Sequence, residues 1–363
     1  MRTPRRRHRV LPAVLAVTAL IAAVSGCSRA AESTAAASDS GPAAELRLGF
    51  FPNVTHAPAL VGIDEDKKFI AKELGGTKLS TQAFNAGPSA VEALLAGSLD
   101  AAFIGPNPTI NAFTKSNGKA VKLIAGAATG GAQLVVRKEI NGPQDLKDKS
   151  IATPQLGGTQ DVALRAWLAG HGLKVETTGG KDVKIANTEN PQTFDAFRTG
   201  QLDGGWLPEP WSSRLVLEAG GKVLVDERDL WPGGKFPTTV LIVRTEFAQK
   251  HPATVQALLR GHVAATKYLN DSPAQAKKTV NAALGKYAGK PLPEPVLERA
   301  FSQISFTTDP AAATFPKLSK DAVAAGVAKQ EFDLKGLVDL AALNEALKAA
   351  GLPGVDASGL DGK

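Results

Sequence analysis

The segment AGSLDAAFIGPNP at 96–108 returns in altered form as TGQLDGGWLPEP at 199–210. From Gly97 and from Gly200 the copies share glycine, one free position, leucine and aspartate, then four small or apolar residues and a proline-bearing polar turn. They are the ends of longer matching units, because Phe84 to Pro108 answers Ala186 to Pro210, with Asn85 and Asn187 at similar distances before a helical stretch. A second echo pairs QLVVRKEI at 133–140 with VLIVRTEF at 240–247. Chance is the alternative, since Gly-x-Leu-Asp is a natural helix-to-strand turn. Two similar lobes joined by two crossing strands produce both echoes at once.

Extended and helical patterns alternate around these units. LRLGFF follows Glu45 as a strand and runs through the loop PNVTHAP into one helical stretch, ALVGIDEDKKFIAKELGG. LSTQAF at 79–84 is the second strand, NAGPSAVEALLAGSL a helix closed by Gly97, DAAFIG the third strand and AVKLIAGAA at 120–128 the fourth. The pattern then restarts, with SIATPQ, VKIANTE and DGGWLPEP as strands and GGTQDVALRAWLAGHG and NPQTFDAFRTGQL as helices. Such alternation predicts an α/β class with parallel sheets. The region 251–350 is mostly helical by pattern and is expected to complete and brace the first lobe.

A length of 363 residues with 43% hydrophobic and 21% charged residues has room for two cores. The net charge of +7 suggests nucleic acid only until it is located. Arg2, Arg5, Arg6, Arg7 and Arg9 supply five of the seven charges ahead of residue 28, where no acid lies, so the remainder carries +2 and nucleic-acid binding is excluded. Those arginines precede the apolar run VLPAVLAVTALIAAV at 10–24, which is short for a membrane span and reads as a secretory signal peptide. Val24-Ser25-Gly26-Cys27 resembles the lipobox of bacterial lipoproteins, and acylation of Cys27 accounts for a single cysteine in a secreted chain. Residues 28–44 are small and polar and read as a flexible tether.

The chain resembles the type II periplasmic substrate-binding proteins of ABC importers, specifically the group that binds aliphatic sulfonates, taurine and nitrate. The stretches that carry the likeness are GFFPNVTHAPALVG at 49–62, FNAGPSAVEALLAGSLDAAFIGPNPTINAF at 84–113, PQLGGTQD at 154–161, GGWLPEPW at 204–211 and TTVLIVRTEF at 238–247. The resemblance implies a two-lobed fold, each lobe a mostly parallel five-stranded sheet flanked by helices, joined by two hinge strands, with ligand in the cleft at the strands' carboxyl ends. Residues 45–132 with 240–345 are expected as lobe 1, 133–239 as lobe 2, and 346–363 as a loose C-terminal tail. The implied role is an extracytoplasmic receptor, a monomer anchored to the outer face of the membrane by Cys27, that hands an aliphatic sulfonate or taurine to a permease. Relatives sharing these motifs take nitrate, aromatic carboxylates or thiamine-precursor pyrimidines, which stay open as alternatives.

The loops facing such a cleft supply the candidate ligand-binding residues. Asn53, Thr55 and His56 follow the first strand, with Thr55 expected to cap the next helix and His56 either donating to an anion or packing the loop. Asn107 offers amide donors or merely turns the chain between Pro106 and Pro108. In LGGTQD, Gly158 permits close backbone approach, Thr159 is expected to cap the helix, and Gln160 follows beside it. Trp211 is expected to wall the pocket, whereas Glu209 either pairs with a ligand ammonium or serves the start of its own helix.

No catalytic group emerges from the sequence. The histidines at 8, 56, 171, 251 and 262 have no metal-binding spacing, no Gly-x-Ser-x-Gly elbow occurs, and GAATGGAQ at 126–133 lacks the Walker lysine and reads as a hinge. The resemblance extends to fungal enzymes of pyrimidine synthesis, whose cysteine-rich motif is absent here. A binding protein without cofactor or metal is expected, with a membrane-tethered enzyme as the competing class.

Overall fold

The computed structural model describes residues 41–362. In chain order the strands are β1 (Glu45–Phe50), β2 (Lys78–Ala83), β3 (Ala101–Ile104), β4 (Val121–Gly130), β5 (Ala132–Val136), β6 (Ser150–Thr153), β7 (Lys184–Asn187), β8 (Gly204–Pro208), β9 (Lys222–Asp226), β10 (Pro237–Arg244) and β11 (Ile304–Phe306). The helices are α1 (Ala57–Gly62), α2 (Phe69–Leu74), α3 (Gly87–Leu95), α4 (Pro106–Lys115), α5 (Thr159–Gly170), α6 (Asn190–Arg198), α7 (Trp211–Ala219), α8 (Thr245–Lys250), α9 (Pro252–Asp271), α10 (Pro273–Ala288), α11 (Glu294–Ser302), α12 (Phe315–Ala324) and α13 (Ala341–Ala349). Cys27 and everything before Gly41 lie outside the described residues.

The strands form two sheets, ordered β11-β4-β10-β3-β1-β2 and β7-β6-β8-β5-β9. From β2 and from β7 the two orders correspond strand for strand, which is the structural form of the sequence repeat. In each sheet a parallel trio, β2-β1-β3 or β7-β6-β8, meets an antiparallel crossing strand, β10 or β5. The first sheet also carries β11, a sixth strand of three residues beyond the five expected.

The repeated Gly-x-Leu-Asp has one job in both copies. Asp100 accepts the Arg47 N–H of β1 at 2.9 Å, and Asp203 accepts the Ser150 N–H of β6 at 2.8 Å. The carbonyls of the same two aspartates take the backbone N–H groups of Arg244 and Arg137, the arginines of the two VVR and IVR echoes. Each copy thus ties a helix end to the first strand of its sheet and to the strand that crosses in from the other half.

Two local readings differ from the structure. The single helix expected after PNVTHAP breaks into α1 and α2, because Asp64 Oδ1 accepts the N–H groups of Asp66 and Lys67 and Lys68 turns with φ of 55°. The segment after α13 is bonded along its length, with Asn344 bridging to Val355 and the Leu360 carbonyl accepting from Gly336 and Val338. At the other end, Ala43 is buried and its backbone is held by Thr254 and Thr77.

Apolar packing fixes these halves in place. Leu46, Leu48, Phe50 and Phe103 are fully buried under the first sheet, and Trp206, Phe197 and Leu207 under the second. The twenty-residue α9 packs against α1, α2 and α13. The C-terminal helices also reach the other half, α11 against α7 and α12 against α5.

Candidate functional site

Four helices begin at one place. The starts of α3 at Ala86 and Gly87, α4 at Gly105, α5 at Gly158 and Thr159, and α6 at Asn190 all line one cavity of about 30 Å³ between the two sheets. Two of these helices come from each half, and none is closed by a side-chain cap. A helix start leaves N–H groups that no carbonyl of the helix can take and carries a partial positive charge. Pro106 and Pro108 remove two donors from α4, whereas Thr159, Gln160 and Asp161 all keep theirs, so α5 is the richest donor of the four.

The α5 start is anchored from below. Asp161 is fully buried and accepts from Thr153 Oγ1, Asn187 Nδ2, the Gly157 N–H and Arg165 Nε, all at 2.8 to 2.9 Å. Its charge is therefore spent on the loop and on Arg165.

The sequence candidates separate by position. Asn53, Thr55, His56, Gly158, Thr159 and Gln160 all line the cavity. The N-cap of α5 is Gly158 and not Thr159, whose Oγ1 is buried without a hydrogen-bond partner. Thr55 sits inside a 3-10 turn, Val54–His56, and caps nothing through its side chain; its N–H donates to the Glu209 carbonyl at 3.4 Å. His56 Nδ1 accepts the Phe51 N–H at 3.3 Å, which leaves the proton on Nε2, and burial drives its pKa down to about 3. It is a neutral donor, stacked at 4.4 Å on Phe51.

Asn107 is not brought to the cavity, because its Nδ2 donates to the Leu318 carbonyl of α12 at 3.4 Å. Glu209 also faces away, fully buried, with one carboxylate oxygen on the Ser213 N–H and the other on Arg299, each at 3.1 Å. Burial raises its pKa against the pull of Ser213 and Arg299. Trp211 spans the halves, its Nε1 donating to Asn53 Oδ1 at 3.0 Å. It walls a chamber of about 490 Å³ that shares Asn53, Asn85 and Asn190 with the inner cavity and is lined by Phe84, Phe194 and Tyr287.

Asn190 escaped the sequence reading. Its Oδ1 is buried without a partner, and it belongs to both the inner cavity and the chamber. The repeat drew attention to Asn187 instead, whose amide is consumed by Thr153 and Asp161. The usable signal was Asn190-Pro191 as a helix start, the counterpart of Gly87-Pro88. Gln155 and Thr238 also line the cavity unannounced. Among the described residues no group of three or more His, Cys, Asp or Glu side chains is placed to hold a metal.

The chain matches the NMT1-like family over residues 39–284. The taurine-binding periplasmic protein of Escherichia coli (strain K12) is 31% identical over 224 residues, 61% of this chain and 67% of that protein. Among solved structures, the alkanesulfonate-binding protein SsuA from Xanthomonas axonopodis pv. citri bound to MOPS aligns with a TM-score of 0.65 at 22% identity, covering 79% of this chain and 95% of that one. The nitrate-binding protein NrtA from Synechocystis PCC 6803 aligns with a TM-score of 0.69 at 17% identity, covering 85% and 90%. At those identities the structural likeness speaks for the fold. All three of these proteins are named for the solute they bind. Matched over more than half its length and built on two corresponding sheets, this chain belongs to the NMT1-like family and has the periplasmic binding protein fold.

Proposed function

We propose that the chain is an extracytoplasmic solute-binding lipoprotein of an ABC importer that captures an aliphatic sulfonate between its two sheets and delivers it to the permease. The observation that carries this reading is the convergence of four uncapped helix starts on a cavity that no charged side chain of the described residues lines. Fixed N–H groups and helix dipoles stabilise an anion there without a cation. The adjoining aromatic chamber gives room for an organic body that nitrate does not have. The likeness to a taurine-binding and an alkanesulfonate-binding protein supports the same class. In this reading residues 45–132 with 240–345 move as one lobe and 133–239 as the other, and Cys27 carries the lipid anchor.

Thermal-shift measurements with alkanesulfonates, nitrate and benzoate test the proposal. Alkanesulfonates are expected to raise the melting temperature, because a ligand bound only by the native state stabilises it. Thr159→Val, which removes the unpartnered hydroxyl at nearly constant shape, is expected to weaken sulfonate binding roughly tenfold while leaving the unliganded melting temperature unchanged or higher. Stabilisation by nitrate or benzoate alone, or by no anion, overturns the proposal.

A further inference from the structure

The charge pattern around the cleft narrows the ligand further. No carboxylate among the described residues lines the inner cavity: Glu209 is turned onto Ser213 and Arg299, and Glu189 accepts from Asn85 Nδ2 at 2.9 Å. In the outer chamber the one lining acid is Asp195, paired with Arg198 at 3.5 Å. Arg198, Arg214 and Lys290 line the same chamber, and Lys290 has no ion-pair partner among the described residues. Three cations, Arg198, Arg214 and Lys290, thus face one lining carboxylate, and an ammonium ligand is disfavoured there wherever water is partly excluded.

Arg214 is built as a reader of an acceptor. Its side chain is only 13% exposed, and its Nε donates to Glu218 at 2.7 Å. The guanidinium lies 4.1 Å from the Phe194 ring centre and 4.9 Å from that of Trp211. One edge is therefore anchored and the guanidinium lies over two rings, while neither Nη group has an acceptor among the described residues. A guanidinium held in this way loses little freedom on binding a carboxylate and presents two parallel donors to it.

Resting on the anion-capture reading above, we propose that the ligand is a two-ended organic acid without an ammonium: a sulfonate at the helix starts and a carboxylate at its far end, read by Arg214. The inner cavity, at about 30 Å³, admits only a compact head, and the chamber of about 490 Å³ that shares three asparagines with it admits the rest. Arg214 is then a specificity-determining residue, and taurine, whose far end is an ammonium, is a poor ligand.

Isothermal calorimetry on the mature protein with sulfoacetate, sulfopropanoate and sulfobutanoate, each against taurine and the alkanesulfonate of matching length, tests this. At least one sulfo acid is expected to bind about tenfold tighter than its alkanesulfonate and tighter than taurine. Arg214→Gln is expected to erase that advantage while changing alkanesulfonate affinity less than about twofold, and Arg214→Lys to restore part of it. Taurine binding as tightly as the best sulfo acid overturns the proposal, whether or not the variants fold, and so does an equal loss for both ligand classes in Arg214→Gln. Absence of binding by every sulfonate instead overturns the underlying sulfonate reading, and the two failures are told apart in the wild-type protein alone.

Discussion

Glu227 shows what burial does to a single side chain away from the cleft. It is almost fully buried after β9, accepts the Trp206 indole N–H at 2.8 Å, and has its pKa pushed up to about 8 by loss of solvent. Between its ordinary value of 4.5 and about 8 the folded chain therefore holds a proton that the unfolded chain has released. Its contribution to stability is complete below 4.5 and is lost as pH rises through about 8. Glu227→Gln keeps an acceptor for Trp206 and removes the titration. The melting temperatures of variant and wild type are expected to lie closest near pH 5 and to separate by several degrees near pH 8, the variant higher; parallel curves would refute the assignment. His262 acts in the opposite sense, since burial lowers its pKa from 6.5 to about 4 and its Nδ1 has no partner to receive a proton, so stability falls as pH drops below about 6.5. None of this was legible in the sequence, because a shifted pKa depends on how much chain covers the group and not on its neighbours in order.

Helices and strands were far more legible than side-chain roles. The repeat carried the correspondence of the two sheets, since Asp100 and Asp203 perform the same backbone tie, which a residue without a side-chain acceptor would leave open. What local pattern missed was the docking of elements distant in sequence. Thr159 reads as a cap until α4 is laid beside α5, where its hydroxyl abuts the α carbon of Gly105 and a Cβ at Gly105 would overlap it. The backbone there, with φ of −76° and ψ of 160°, suits alanine. Gly105→Ala is therefore expected to fold normally yet hold the starts of α4 and α5 apart, weakening ligand binding about tenfold, and to add little to the loss caused by Thr159→Ala when both are in one chain. Calorimetry on the two single variants and the double decides it, and strictly additive effects would show that the two helix starts do not meet. Asn107 misled for the same reason, because its partner Leu318 lies 211 residues away.

At the scale of the whole molecule, two features join the halves. The chain passes from β4 to β5 through Gly130 and Gly131, both with φ above 70°, a conformation open to glycine and strained for other residues. Across from that passage, Arg299 of α11 reaches Glu209 at 3.1 Å, Ser213 Oγ at 2.8 Å and Gln133 Oε1 at 2.8 Å, all in the other half. Removing it leaves the fully buried Glu209 without its cation, at a cost of roughly 3 kcal/mol. Arg299→Met is expected to lower the melting temperature and to enlarge the radius of gyration of the unliganded protein in solution scattering; an unchanged radius with a lowered melting temperature would confine the role to stability. The inner cavity, meanwhile, is lined by helix-start backbone, asparagines, threonines and a histidine that burial keeps neutral down to about pH 3. In the unliganded cavity no lining side chain titrates between about pH 3 and neutrality. On the proposed reading, a plain alkanesulfonate would then load to the same degree in mildly acid and in neutral medium, and any fall in acid would belong to a carboxylate at the ligand's far end.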